Sequence, residues 1–276
     1  FSQDADGICI LLAALKAMVR TKPQQRALLE ESFTSWWHAG IDRFALTSSS
    51  SSSTNTNNDT TTNSAVLVVF SSLGSGIARP EWNGSLRSMT ASLDVLHVLD
   101  PAFSWYCQDP TCSWQGGKYY TEQLQQRLAS YSRVMLLGDS MGGAAALRFA
   151  SCVANVQRVL AFTPQIDITQ YPAITRTDFS NTTKVDFQTQ TLHAIEQSPA
   201  KTITIHYGNR CEEDVRQVQL IVRHQEQNGN ENKNLHLVEH EFDDHILSLH
   251  LRDEDKLQGI IEQAVHDFLL IDDGEE

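Results

Sequence analysis

Positive charge is scarce in this chain: 21 Lys and Arg stand against 34 Asp and Glu, a formal net charge of −13 over 276 residues. Such a surface repels a phosphate backbone and an anionic membrane alike, which sets nucleic-acid binding aside. Long apolar runs are also missing. Spanning a bilayer takes roughly 20 apolar residues, and the best candidate, Ile8 to Val19, is interrupted by Lys16. A soluble protein is expected, with its compartment open; the opening residue, Phe1 rather than Met, fits either a presequence removed ahead of it or a trimmed chain.

Cysteine is sparse as well. Five residues, an odd number, make no disulfide framework in a chain of this size. Only Cys107 and Cys112 lie close together, and they either close a local bridge or stay as two thiols. No second Cys/His pair sits at finger-like spacing, so no metal site is expected. The phosphate-cradling patterns are absent too: there is no Gly-x-x-x-x-Gly-Lys-Ser/Thr and no complete Gly-x-Gly-x-x-Gly, and no cofactor is expected. Asn-x-Ser/Thr triplets begin at Asn58, Asn83 and Asn181, a pattern that says nothing without a secretory route.

What is present is a 41% hydrophobic composition, enough for one large core. Residues 1–46 are expected to form an N-terminal helical segment. Ile8, Leu11, Leu12, Leu15 and Val19 make an apolar stripe at helical spacing, and Pro23 opens a second helix through Leu28, Leu29, Phe33 and Trp36. This hairpin reads as packing against the main domain, with a lid as the alternative. Residues 47–64, nearly all Ser, Thr and Asn, cannot bury enough apolar surface to offset the entropy of ordering, and read as a disordered linker.

From 65 to 276 short β-branched runs alternate with helical patterns. That alternation predicts an α/β domain with a mostly parallel central sheet flanked by helices. The expected strands are 65–70, 95–99, 133–137, 156–162, 202–206 and 235–239. Helices are expected at about 119–130, 141–153, 191–197, 214–227 and 257–270. In such sheets the ligand site lies beyond the carboxyl ends of the strands.

One of these ends reads Leu136-Leu137-Gly138-Asp139-Ser140-Met141-Gly142-Gly143-Ala144, containing Gly-x-Ser-x-Gly between an apolar strand and an Ala-rich helix. Small residues are needed because the turn packs its backbone tightly while holding the Ser hydroxyl exposed above the sheet. The following helix aims its free N–H groups at the same place, where they favour a developing oxyanion.

With this motif in this context, residues 65 to about 270 resemble the α/β-hydrolase superfamily of esterases, lipases, thioesterases and acyltransferases. The segments Phe70-Ser71-Ser72-Leu73-Gly74, Asp100-Pro101 and Ser104-Trp105-Tyr106 also look like hydrolase-like proteins of bacterial surface polysaccharide loci, a likeness that names no substrate.

The superfamily resemblance implies Ser140 as nucleophile, followed in chain order by an acid and a histidine. His245, in the loop after the last strand, is the implied base, while His236, His240 and His250 sit on a strand, a strand end and a helix. For the acid, Asp214 leads, with Glu212 and Asp167 as alternatives. Met141 N–H supplies one oxyanion donor, and the turn after the first core strand supplies the second, from Ser72 or from Leu73; the His-Gly pair common in the family is missing there.

Aromatic residues Phe103, Trp105, Tyr106, Trp114, Tyr119 and Tyr120 either wall an acyl pocket or pack the core. The expected partner is therefore a small ester or acyl substrate, cleaved through an acyl-enzyme. Acyl transfer by the same residues, and a catalytically inactive binding protein of the same fold, are the alternatives.

Overall fold

The structure is a computed structural model that describes residues 42–49, 65–73, 82, 86, 89, 93–111, 113–169, 179–229 and 232–271. The expected hairpin over residues 7–38, and residues 50–64 of the expected linker, lie outside them.

Seven strands form one sheet in the order β1-β3-β2-β4-β5-β6-β7, with β1 (Phe44–Thr47), β2 (Ala65–Phe70), β3 (Asp94–Val98), β4 (Arg133–Asp139), β5 (Val156–Phe162), β6 (Thr202–Gly208) and β7 (Leu235–His240). All neighbours are parallel except β1, which runs antiparallel to β3 with Phe44 opposite Val98. The helices are α1 (Gly116–Leu128), α2 (Met141–Arg148), α3 (Asn181–Gln197), α4 (Glu212–Asn228), α5 (Leu247–Asp253) and α6 (Leu257–Leu269).

Central strands of parallel sheets are covered on both faces and so are apolar at every position. β2 is the clearest case, buried from Ala65 to Phe70. Its alternate side chains feed two different cores. Val66, Val68 and Phe70 join Val134 and Leu136 against α1 to α4, through residues such as Tyr120, Ala144, Phe187 and Ile221. Ala65, Leu67 and Val69 join Met135 and Leu137 against α5 and α6, through Leu247, Leu251, Ile261 and Phe268. The result is a three-layer sandwich whose strand ends after β2, β4, β5, β6 and β7 open at one edge.

The expected strands are all present, with β4, β6 and β7 running one or two residues further and β3 shifted back by one. Three expectations need correction. Residues 44–47 are an edge strand rather than the end of a helical segment or the start of a linker. The Ser49 N–H beyond it donates to Asp94 Oδ1 at 2.7 Å, so the sheet begins ahead of residue 65. The helix expected at 191–197 starts at Asn181, because Ser180 caps it by accepting from the Thr183 N–H at 3.1 Å. The helix expected to reach Val153 ends at Arg148.

Candidate active site

Ser140 sits at φ 53°, ψ −117°, a left-handed conformation that a non-glycine residue adopts only when its surroundings impose it. Here they do. A Cβ on Gly142 would run into the carbonyl oxygen of Phe70 at the end of β2, and one on Gly138 would run into the carbonyl oxygen of Gly142. The backbone of the turn is thus pressed against β2 on one side. On the other, Ser140 N–H donates to Phe162 O of β5 at 2.9 Å. α2 starts at once, with Ala144 N–H donating to Ser140 O at 3.0 Å.

Ser140 Oγ lies 2.8 Å from Nε2 of His245, which stands in the loop between β7 and α5. His245 Nδ1 lies 2.6 Å from Oδ1 of Asp214, in the first turn of α4. Asp214 is 2% exposed, whereas Glu212, two residues earlier and on the other side of that turn, faces solvent. Asp167 is engaged elsewhere. It accepts from Arg216 Nη1 at 2.8 Å and from Thr169 N at 2.8 Å. Burial raises its pKa, but the Thr169 and Arg216 contacts together hold it below the ordinary carboxylate value.

The remaining histidines also have other neighbours. His240 Nε2 bonds His206 Nδ1 at 2.9 Å, His250 stacks on Phe242 with centroids 4.1 Å apart, and His236 is exposed.

Met141, as the first residue of α2, has an N–H with no intrahelical acceptor. The turn after β2 lies beside it, since Ser71 O is 3.0 Å from where a Gly142 Cβ would stand. Ser71 N–H is taken by Val98 O at 3.0 Å; Ser72 follows it in the turn, buried, and Leu73 comes next. Of the aromatic group, Trp105, Tyr106 and Tyr120 belong to the core, with Tyr106 packed edge-on to Phe70 (5.5 Å) and to Tyr120 (4.9 Å). Trp114 stacks on Phe179 at 4.6 Å and borders a cavity of about 690 Å³ between α1, α2 and α3, which contains neither Ser140 nor His245. Cys107 is a free thiol, buried among Trp105 and Arg148.

Compared with models of protein families and with curated protein sequences, the chain matches none. Among solved structures it is similar to the capsule O-acetyltransferase of Neisseria meningitidis serogroup A, at 15% identity and TM-score 0.50, over 72% of this chain and 87% of that one. An S-formylglutathione hydrolase from Agrobacterium tumefaciens aligns at 15% identity and TM-score 0.52, over 74% and 84% of the two chains. The esterase Est2 of Thermogutta terrifontis aligns at 14% identity and TM-score 0.50, over 84% and 90%. The chain has an α/β-hydrolase-like fold. At these identities the likeness is one of architecture.

Around Ser140, His245 and Asp214 stand residues that the sequence did not single out. Asp139, ahead of Ser140, accepts from Ser248 Oγ of α5 at 2.5 Å and from Thr163 Oγ1 after β5 at 3.1 Å, tying three elements together beneath the serine. Burial pushes its pKa up more than these hydroxyls and His245 pull it down. Gln165, fully buried, has its Nε2 3.0 Å from His245 Nε2. Neither residue carries a local signal: the middle position of Gly-x-Ser is unconstrained by the turn, and a lone glutamine after a strand matches no pattern.

His245 itself feels opposed influences. Burial disfavours its charged form, but the hydrogen bond and charge of Asp214, followed by the charges of Asp139 and Glu213, outweigh that and raise its pKa above the ordinary histidine value. A base of this kind, in line with an alcohol on one ring nitrogen and a buried carboxylate on the other, can take the alcohol's proton and have the resulting imidazolium stabilised.

Proposed function

We propose that the protein is a serine hydrolase that cleaves a carboxylic ester or thioester through an acyl-enzyme. The observation carrying this reading is the hydrogen-bonded line Ser140 Oγ to His245 Nε2 (2.8 Å) and His245 Nδ1 to Asp214 Oδ1 (2.6 Å), mounted on a left-handed serine at a strand–helix turn. Ser140 Oγ attacks the acyl carbon while its proton moves to His245 Nε2, and the carbonyl oxygen becomes an oxyanion. Met141 N–H, with an N–H of Ser72 or Leu73, receives that charge. Collapse expels the alcohol or thiol, which leaves with the proton from Nε2, and Ser140 keeps the acyl group. Water then attacks; His245 takes its proton and returns it to Ser140 Oγ as the acid departs. Asp214 holds the ring and stabilises the imidazolium without itself being protonated.

An alcohol in place of water in the second half gives acyl transfer with the same residues, so the fate of the acyl-enzyme depends on the acceptor admitted. The test uses a p-nitrophenyl ester with the whole chain and Ser140→Ala. Hydrolysis is expected from the wild type, and a loss on the order of 10⁴-fold or more from the variant with its fold unchanged. Near-equal turnover by the two would overturn the assignment. Added polyols would reveal transfer as a transacylated product.

A further inference from the structure

Gln165 extends the line of hydrogen bonds on the far side of His245. Its side chain is fully buried, three residues past β5, and its two amide atoms have different neighbours. Trp105 Nε1 lies 2.7 Å from Gln165 Oε1, and Gln165 Nε2 lies 3.0 Å from His245 Nε2. Distances alone do not distinguish the oxygen of a glutamine from its nitrogen. The indole does, because its nitrogen only donates. Trp105 therefore turns the amide oxygen to itself and the NH2 toward His245. That NH2 also only donates, so Nε2 meets it with a lone pair and the ring proton resides on Nδ1, where Asp214 accepts it.

The surroundings are built to hold this orientation. Phe103, Trp105 and Tyr106 lie at φ 50°, 54° and 59°, and Thr163, two residues before Gln165, at φ 38°. Left-handed non-glycine residues persist only when over-determined by their neighbours. Asp100 supplies the constraint on one side: buried, it accepts from the N–H groups of Ala102 (3.1 Å), Ser104 (2.7 Å) and Tyr106 (2.9 Å). Gln217 supplies it on the other, its Oε1 accepting from both Ile166 N and Asp167 N at 2.7 Å.

Among the described residues, the charges of Asp214 and Glu213 from α4 and of Asp139 from β4 favour a proton on the ring, and the chain neighbour Asp244 accepts from His245 N. Gln165 acts in the opposite sense. We infer that Gln165 is a positioning residue: its amide, oriented by Trp105, donates to His245 Nε2, sharing that nitrogen's one lone pair with the Ser140 hydroxyl, and favours the neutral imidazole in its Nδ1–H tautomer. When Nε2 gains a proton, two N–H groups face one another and this contact must break. Gln165 thus sets the balance point of the base against its acidic neighbours.

The inference rests on the reading of Ser140 and His245 given above, and its test is independent of turnover. The His245 imidazole nitrogens are followed by ¹⁵N NMR against pH in the whole chain and in Gln165→Met, Gln165→Glu and Trp105→Phe. The wild type is expected to show Nδ1–H when neutral. Gln165→Met, of similar length but without a donor, is expected to raise the His245 pKa by about one unit, the worth of one modest hydrogen bond. Gln165→Glu, which turns the donor into an acceptor, is expected to raise it further. Trp105→Phe frees the amide to rotate, with an expected rise smaller than that of Gln165→Glu; it and Gln165→Glu carry the test should Gln165→Met not fold.

A glutamine that only fills space predicts that His245 titrates at the wild-type pH in Gln165→Met and Gln165→Glu alike, and that result overturns the inference. Should the titrations shift as expected while Ser140 proves unreactive, the positioning role stands and the hydrolase reading falls.

Discussion

His245 is the base of the proposed mechanism, and its ionisation makes the sharpest prediction at the scale of single residues. In that role it could accept a proton only when neutral. Because Asp214, Asp139 and Glu213 together outweigh burial and raise its pKa, ester hydrolysis is expected to fall as pH drops, with its acid limb above the ordinary histidine value of about 6.5. Asp214→Asn removes the two largest raising influences, so the limb should move to lower pH while the plateau falls on the order of 10⁴-fold, the ring tautomer being lost. A limb that stays in place in that variant contradicts the account.

The same raised pKa makes a stability statement. Its contribution is fully present below the unfolded value of about 6.5 and is lost as pH rises through the folded value. Urea unfolding should therefore show a larger gap between wild type and Asp214→Asn near pH 5.5, about 1 unit below the unfolded value, than near pH 8.5, about 2 units above it. The sequence put Asp214 ahead of Glu212 and Asp167 without separating them firmly. All three are acids near strand ends, and only tertiary packing turns Asp214 inward while giving Asp167 to Arg216.

At the scale of elements, the strand–turn–helix over residues 133–148 was legible because its constraints are local. Gly138 and Gly142 have no room for a Cβ, so the motif follows directly from backbone contact with Phe70 and within the turn. Gly142→Ala should force the turn away from β2, lowering stability by about 1–3 kcal/mol as overpacking does and impairing the reactivity of Ser140. Wild-type unfolding and reactivity in Gly142→Ala would show that the contact is not as tight as described.

Other elements left little trace. β1 has four residues, of which only Phe44 is buried, too short for any alternation to declare a strand. The first two turns of α3, Asn181-Thr-Thr-Lys-Val-Asp-Phe, bury little beyond Lys184 and Phe187, so their periodicity is faint. Gln165 is a tertiary feature altogether, meaningful only once Trp105 and His245 meet around it.

For the whole molecule, two cores on opposite faces of one sheet hold the ends of β2, β4, β5, β6 and β7 in fixed relation, which is what lets residues 105 positions apart, Ser140 and His245, meet at 2.8 Å. The alternation of apolar runs with helical patterns was enough to foresee this layering, since each central strand must be apolar on both faces. The net charge of −13 acts on the same scale. Self-repulsion opposes compactness, and raising salt from about 10 mM to about 150 mM shortens its reach from about 30 Å to about 8 Å. The Tm should rise over that range; a Tm that falls would mean that attractive ion pairs, not repulsion, dominate the surface.

The central claim is that Ser140 is a nucleophile activated by His245. A fluorophosphonate probe with peptide mass mapping tests it without knowledge of the substrate, on the whole chain and on His245→Ala. The account predicts a single label on Ser140 in the wild type and its loss in the folded His245→Ala variant. No label on folded wild-type protein, or equal labelling of both, would contradict it.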